Sequence, residues 1–356
     1  MDGHRFPYKW RLADTTFTKD KGKVFSTFSC GGGTSLGYQL AGFEVIANLE
    51  FDEKKNATYN KNNHPKYSYC DDIRKFRLRD DIPEELYHLD ILSGSPPCLA
   101  FSMSGDREAV WGKDTKREGV KHSQTWDDLF FEYIALAKKL QPKVVEAENV
   151  KGLLLGNAID YVRRIYEAFD DAGYYCQHFL LNTATMGVPQ KRERVFFICL
   201  RKDLAEPFLY QKDLFTVAPK IDMTFNEPPI KYGEYADYQG DEIKAPGMNK
   251  YIKLRQEGDI ALSDAVERLG EPRKFFNQQY LYEENVSYTL TAHRDSIIPF
   301  KNPRWLSKQE TCSIATFPQD YDFCDNTFWE MCGRAVPCVC MANIATNIYE
   351  QWLSKI

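Results

Sequence analysis

Between residues 23 and 202 short apolar, β-leaning runs alternate with amphipathic stretches, a pattern that a chain satisfies by building a parallel sheet covered with helices. The strand candidates are residues 24–28, 44–49, 89–92, 143–146 and 195–200. Between them, residues 127–140 and 158–172 repeat apolar side chains at helical spacing, and Gly173 supplies a C-terminal stop. The expected fold class is α/β, doubly wound, with a mostly parallel sheet. After Leu204 the alternation ends: Pro207, Pro219, Pro228, Pro229, Pro246 and Pro272, among many tyrosines and charges, read as a separate irregular lobe up to about Asn285. Residues 327–356 regain an amphipathic helix and are expected to return to the first domain. There is no internal repeat and no low-complexity segment.

At 356 residues the chain can bury a large core, and its 43% hydrophobic and 27% charged content excludes a disordered or fibrous protein. No apolar run is long enough to span a bilayer and residues 1–10 lack an apolar signal core, so the expected location is the cytoplasm, with no membrane partner. The ten cysteines include no Cys-x-x-Cys pair and the six histidines are scattered, which favours reduced thiols. Cys338 and Cys340 would share one face of a strand; they are read as buried thiols, and no metal is assigned. The net charge of -5 argues against indiscriminate nucleic-acid binding but leaves room for a local basic cleft. Gln190-Lys191-Arg192-Glu193-Arg194, followed by Arg201 and Lys202, is the candidate; taken alone, such a run is ordinarily a solvated face.

Four segments carry chemistry. Phe28-Ser29-Cys30-Gly31-Gly32-Gly33-Thr34-Ser35-Leu36-Gly37 follows a strand and opens a helix, and Glu50 tips the next strand. A glycine cluster alone is equally a tight structural turn, but strand, glycine turn, helix and acid-tipped strand together point to a nucleoside cofactor whose ribose hydroxyls the acid binds. Ser93-Gly94-Ser95-Pro96-Pro97-Cys98-Leu99-Ala100-Phe101-Ser102 lies at the end of the strand 89–92. A lone cysteine is ordinarily a small buried hydrophobe; fixed by two prolines in a strand-end loop, it becomes a candidate nucleophile. Glu146-Ala147-Glu148-Asn149-Val150 is again at a strand end, where an acid is otherwise a cap or a solvated charge. The basic run is the fourth, with Arg192 and Arg194 projecting to one face if it begins extended.

Pro-Pro-Cys, then Glu-Asn-Val, then Gln-x-Arg-x-Arg, in this order, closely resemble the motifs of the cytosine-C5 DNA methyltransferase family. Arg304-Trp305-Leu306-Ser307-Lys308-Gln309-Glu310 with Phe317-Pro318, and Gly333-Arg334-Ala335-Val336-Pro337, are similar to its closing motifs. The resemblance covers nearly the whole chain outside about 204–285. It implies a sheet of the S-adenosylmethionine-dependent methyltransferase type, a catalytic and cofactor-binding domain at 1–203 plus 327–356, and a smaller irregular target-recognition domain at 204–326.

The resemblance also implies roles. Cys98 adds to C6 of a flipped cytosine in double-stranded DNA and makes C5 enamine-like; Glu148 holds the N3 and amino edge; Arg194 grips O2 with Arg192 beside it. The segment 103–124 is the loop that closes over DNA, unless it is an ordinary surface loop. For S-adenosylmethionine the implied contacts are Phe28, Cys30, Gly32 and Gly33 of the turn, Glu50 to the ribose, Phe51 against adenine, Asp72 to its amino group, Ile73 against the ring, and Pro97, Leu99, Arg334 and Ala335 around the reacting end. The protein so implied is a bacterial or phage-encoded monomer, with or without a restriction enzyme partner.

Several residues leave the family pattern. Cys30 replaces a glycine, Leu99 a glutamine, and Ser313, Ala315 and Thr316 an Arg-Leu-Gln-Gly type segment. Arg334 stands where asparagine is usual; a guanidinium beside a sulfonium needs an accompanying anion. Either it turns to a phosphate or a nearby carboxylate, or the cofactor is a variant whose transferring group bears a carboxylate, giving a carboxymethylated cytosine. Two other readings are a transfer-RNA cytosine methyltransferase, whose branch carries a Cys-Phe-Thr segment absent here, and a non-catalytic DNA-binding relative, which would lose the nucleophile or Glu-Asn-Val.

Overall fold

The computed structural model describes residues 3–97, 129–211 and 217–356, apart from the side chain of Asn157. Its first part runs β1 (Lys23–Thr27), α1 (Gly33–Leu40), β2 (Glu44–Leu49), α2 (Glu53–Asn63), β3 (Tyr67–Tyr69), α3 (Ile73–Phe76), β4 (Ile91–Gly94), α4 (Leu129–Leu140), β5 (Val144–Val150), α5 (Ile159–Asp171), β6 (Tyr174–Asn182) and β7 (Glu193–Arg201). These strands form a seven-stranded sheet in the order β3-β2-β1-β4-β5-β7-β6. The first five pair in parallel, whereas β7 runs antiparallel to both β5 and β6. The connection from Asn182 to Glu193 is too short for a crossover helix, so these two strands must form a hairpin.

Alternation along each strand separates two apolar layers. Phe25, Val145 and Phe197 face α3, α4 and α5, which contribute Phe76, Phe130 and Ile165. Val24, Val144 and Ile198 face the other way, towards Tyr38 of α1 and Ile344 of α10 (Cys338–Gln351). A Cβ at Gly37 would lie 2.5 Å from the Cys338 carbonyl oxygen, so glycine permits the close approach of α1 and α10. Because Cys338 and Cys340 are on this helix, they do not share a strand face as expected; each is fully buried, in a different apolar cluster.

Strand β2 has the bounds the sequence predicts, but β5 continues past residue 146 to Val150. Its ladder with β7 extends from Val144 opposite Leu200 to Val150 opposite Arg194, so Glu148 lies within a paired strand. The pattern did not signal β3, which is three residues long and places Ser68 at the edge of the sheet, or β6, whose Gln177, His178 and Asn182 break its apolar run.

Beyond β7 come β8 (Leu209–Gln211), β9 (Val217–Pro219), α6 (Pro246–Ile252), α7 (Leu262–Arg268), β10 (Gln279–Leu281), β11 (Ile297–Pro299), α8 (Lys308–Ala315) and α9 (Phe328–Arg334), before α10 closes the chain. Met248, Leu262, Val266, Tyr280 and Ile298 form a small core of their own. A second cluster joins Ile230, Leu281 and Ile297 to Leu36 of α1 and Met331 of α9, with Trp10 of the N-terminal segment inserted. The Trp10 indole N–H donates to the Thr316 carbonyl at 2.9 Å. Where these parts meet, Arg304 makes two hydrogen bonds of 2.6 Å to Glu310, and the Tyr232 hydroxyl donates to the same carboxylate at 2.7 Å.

Candidate active site

The turn after β1 puts Phe28 (φ 51°), Cys30 (φ 46°) and Gly32 (φ 77°) in left-handed backbone, with Gly32 preceding the first turn of α1. For the two non-glycine residues this costs about 1–2 kcal/mol each. Glu50 offsets it at Cys30: one carboxylate oxygen accepts the Cys30 N–H at 2.7 Å and the other the Asp52 N–H at 3.0 Å. The Tyr321 hydroxyl donates to the Gly31 carbonyl. A Cβ at Gly33 would stand 2.6 Å from the Val336 carbonyl oxygen, so the turn and the motif after α9 touch through glycine. Burial raises the Glu50 carboxyl above its ordinary pKa, with the two backbone bonds opposing. Burial also pushes the Cys30 thiol up to about 11, Glu50 adding to the effect and Arg334 opposing it.

Around this turn, Ile73 is buried and the Phe51 ring is 62% exposed. Asp72 is more occupied than the sequence suggested. It caps α3 by accepting the Arg74 N–H at 2.9 Å and pairs with the same residue's guanidinium at 2.6 Å. Burial works to raise the Asp72 pKa, but the bonds from Arg74 outweigh it and leave it lowered. Arg334, the last residue of α9, donates from Nε to Glu330 at 2.9 Å, and Ala335 is buried just beyond.

At the ends of β4 and β5 a second group assembles. Pro97 is half-buried, whereas Cys98, Leu99 and the segment 103–124 lie outside the described residues. The Glu148 carboxylate meets Arg194 Nε at 3.1 Å, and both side chains are largely buried. Arg192 is only 4% exposed; Nη1 donates to the Leu290 carbonyl at 3.1 Å, and Nε has no partner among the described residues. Burial lowers its pKa to about 9, repulsion from Arg194 acting with burial and Glu148 against it. The Asn149 amide donates to the Pro96 carbonyl at 3.2 Å, tying β5 to the segment that leads into Cys98. Glu148, Arg192 and Arg194 are thus brought together at one end of the sheet.

The basic run is a solvated face only at Lys191 and Glu193, which are exposed, whereas Gln190 and Arg192 are buried. Gln190 is 1% exposed, and its amide donates to the Ile314 carbonyl while its side-chain oxygen accepts the Leu290 N–H at 3.0 Å. Sequence reasoning gave no role to Glu146, which is fully buried on β5 and accepts a 2.6 Å hydrogen bond from Ser93 on β4. The signal was present: an acid two residues before Glu148, in an otherwise apolar strand, must face the same side of the sheet.

Known proteins give this geometry its context. Residues 22–350 match the model of the C-5 cytosine-specific DNA methylase family. This chain belongs to that family. The methylase is 39% identical over 346 residues to the type II methyltransferase M.NgoPII of Neisseria gonorrhoeae, covering 92% of this chain and 95% of the relative. It is 26% identical to M.Bsp6I of a Bacillus species, over 93% and 99% of the two chains. In fold it is similar to a solved structure of Spodoptera frugiperda DNMT2, with a TM-score of 0.63 and 17% identity over 90% of this chain and 98% of that one. The methylase is therefore an enzyme of DNA cytosine-C5 methylation that uses S-adenosylmethionine. Among its described residues no helix is long and apolar enough to cross a membrane.

Proposed function

We propose that the methylase acts on cytosine in double-stranded DNA through Cys98, Glu148, Arg192 and Arg194. The observation that carries this reading is the Glu148–Arg194 pair at the end of β5, joined through Asn149 to the Pro96–Pro97 segment that precedes Cys98. The residues near the glycine turn fit S-adenosylmethionine: Glu50 presents a carboxylate already fixed by two backbone N–H groups, and the exposed Phe51 ring beside it offers an apolar face to an adenine. Phe28, Cys30, Gly32, Gly33, Asp72, Ile73, Pro97, Leu99, Arg334 and Ala335 complete the binding set. When bound, the cofactor supplies an electrophilic methyl group.

The chain's own residues then do the following. The Cys98 thiolate adds to C6 of the extruded cytosine, which makes C5 nucleophilic. Glu148 hydrogen-bonds the N3 and amino edge and favours protonation at N3, while Arg194 holds O2, so charge on the ring is compensated as it develops. After C5 is alkylated, loss of its proton to a base expels Cys98. Residues 204–326 supply the target-recognition domain, and residues 1–203 with 327–356 the catalytic one. The protein acts as a monomer in a bacterial or phage-infected cytoplasm, where its likeness to type II methyltransferases leaves a place for a restriction enzyme partner.

A second reading rests on Arg334, whose charge is felt by Cys30 in the turn. A cofactor whose transferring group bears a carboxylate would need Arg334 to exchange Glu330 for it. The existing Arg334–Glu330 pair already supplies the anion that this guanidinium requires, which favours plain methyl transfer. Mass spectrometry of the product base, together with sequencing of modified cytosines in DNA from expressing cells, tests both readings. The expected product carries a methyl increment at one recurring site, unchanged in Arg334→Asn; a carboxymethyl increment lost in that variant would overturn the methyl reading.

A further inference from the structure

Among the described residues, Glu146 is a fully buried carboxyl group near the site to which the reaction gives no role. It stands opposite Ser93 in the register of β4 and β5, and opposite Ile198 of β7, so it is enclosed on both sides by the sheet. The Ser93 hydroxyl donates to one carboxyl oxygen at 2.6 Å, and the Tyr38 hydroxyl of α1 reaches the same oxygen at 3.5 Å. The other oxygen is buried and has no partner among the described residues. Below it, the Tyr133 hydroxyl of α4 bridges the Leu92 and Glu146 carbonyls at 2.9 and 2.6 Å. Glu146 is thus built into the joint between two strand ends, one leading to Pro97 and the other carrying Glu148.

Glu146 and Glu148 point to the same side of β5, about 7 Å apart along the strand. Their surroundings differ. Glu148 has Arg194 as a counter-ion, whereas Glu146 has only hydroxyl groups. A buried carboxylate without a cation is strongly disfavoured, so Glu146 holds its proton. On its side of β5 Glu146 meets the hydroxyls of Ser93 from β4 and Tyr38 from α1, with Cys340 of α10 and Glu148 of its own strand nearby; the two hydroxyls ease its ionisation, but burial and Glu148 oppose it, and none of these groups is a cation.

We infer that Glu146 is a positioning residue for the methyl transfer, acting as a neutral acid that locks the exit of β4 to β5 and keeps a second negative charge away from the Glu148–Arg194 pair. Ionisation would place that charge two residues from Glu148, where the two carboxylates repel each other and compete for Arg194, a cost that the strengthened Ser93 hydrogen bond only partly offsets. Burial, opposed by the Ser93 bond and reinforced by Glu148, sets the carboxyl at about 8, so turnover should decline on the alkaline side of neutrality. This inference rests on the catalytic role proposed for Glu148.

The experiment is the pH dependence of kcat for the full chain on DNA with S-adenosylmethionine, in wild type, Glu146→Gln and Ser93→Ala. A single ionisation at about 8 gives a fall of about tenfold between pH 7 and 9 in the wild type. Glutamine cannot ionise, so Glu146→Gln should lose that alkaline fall. Ser93→Ala removes a hydrogen bond that favours the charged form, and its fall should move to higher pH. An alkaline fall of unchanged size and position in both variants overturns the inference, and if Glu146→Gln does not fold, an unmoved fall in Ser93→Ala does so alone. A merely structural clamp would alter kcat equally at every pH and move neither profile. Absence of turnover in the wild type at pH 7 would instead count against the proposed function.

Discussion

The same carboxyl group makes a thermodynamic prediction that does not depend on catalysis. In the unfolded chain Glu146 titrates near its ordinary value of 4.5, and in the folded protein at about 8. A raised folded pKa means that the native state binds the extra proton: the stabilisation is fully present below 4.5 and is lost as the pH rises through about 8. Each pH unit within that window removes about 1.4 kcal/mol, so from pH 5 to pH 8.5 the wild type should lose about 4 kcal/mol that Glu146→Gln does not lose. For a chain of this length that difference corresponds to roughly 5 °C in Tm. Thermal unfolding of both proteins in matched buffers from pH 5 to pH 8.5 measures it, and comparison with the variant cancels the other titrating groups. The melting temperature of Glu146→Gln relative to wild type should climb with pH. A difference that stays constant across the range would show that Glu146 is already ionised in the folded state and would refute the reasoning.

Glu50→Gln should weaken S-adenosylmethionine binding by about 10–100-fold, measured by titration calorimetry, because the new amide turns a donor towards the Cys30 or Asp52 N–H and releases the turn; a loss below threefold would remove Glu50 from the cofactor site. Arg304→Ala leaves Glu310, which is 0% exposed, without its cation. It should cost about 3–5 kcal/mol in urea unfolding, whereas Arg304→Met with Glu310→Leu should recover most of that; equal losses in both would show that packing rather than charge dominates there.

The sheet was legible because its buried strands are continuous apolar runs between helices of clear period, and the turn after β1 because its glycines follow one strand end and Glu50 tips the next. What the sequence concealed follows from partners distant in the chain. Arg192 looks like a surface charge until Leu290 covers it, 98 residues away. Glu146 looks like half of an acidic pair at a strand end until the ladder with β7 shows β5 continuing past it. Strand β6 escaped notice because an edge strand keeps one side polar, and its Gln177, His178 and Asn182 mask the alternation. Arg334 departs from the family pattern in sequence, and only the folded α9 reveals that Glu330, one turn earlier, supplies its anion.

The most direct test of the central claim is covalent trapping on duplex DNA containing 5-fluorocytosine, in which the fluorine at C5 cannot leave as a proton and elimination is blocked. With S-adenosylmethionine present, the wild type should form a denaturation-resistant adduct through Cys98, and Cys98→Ser should form none while still binding the DNA. A wild-type protein that binds the same DNA and cofactor without any adduct, or a Cys98→Ser variant that is trapped as well as the wild type, would contradict the assignment of Cys98 as the nucleophile.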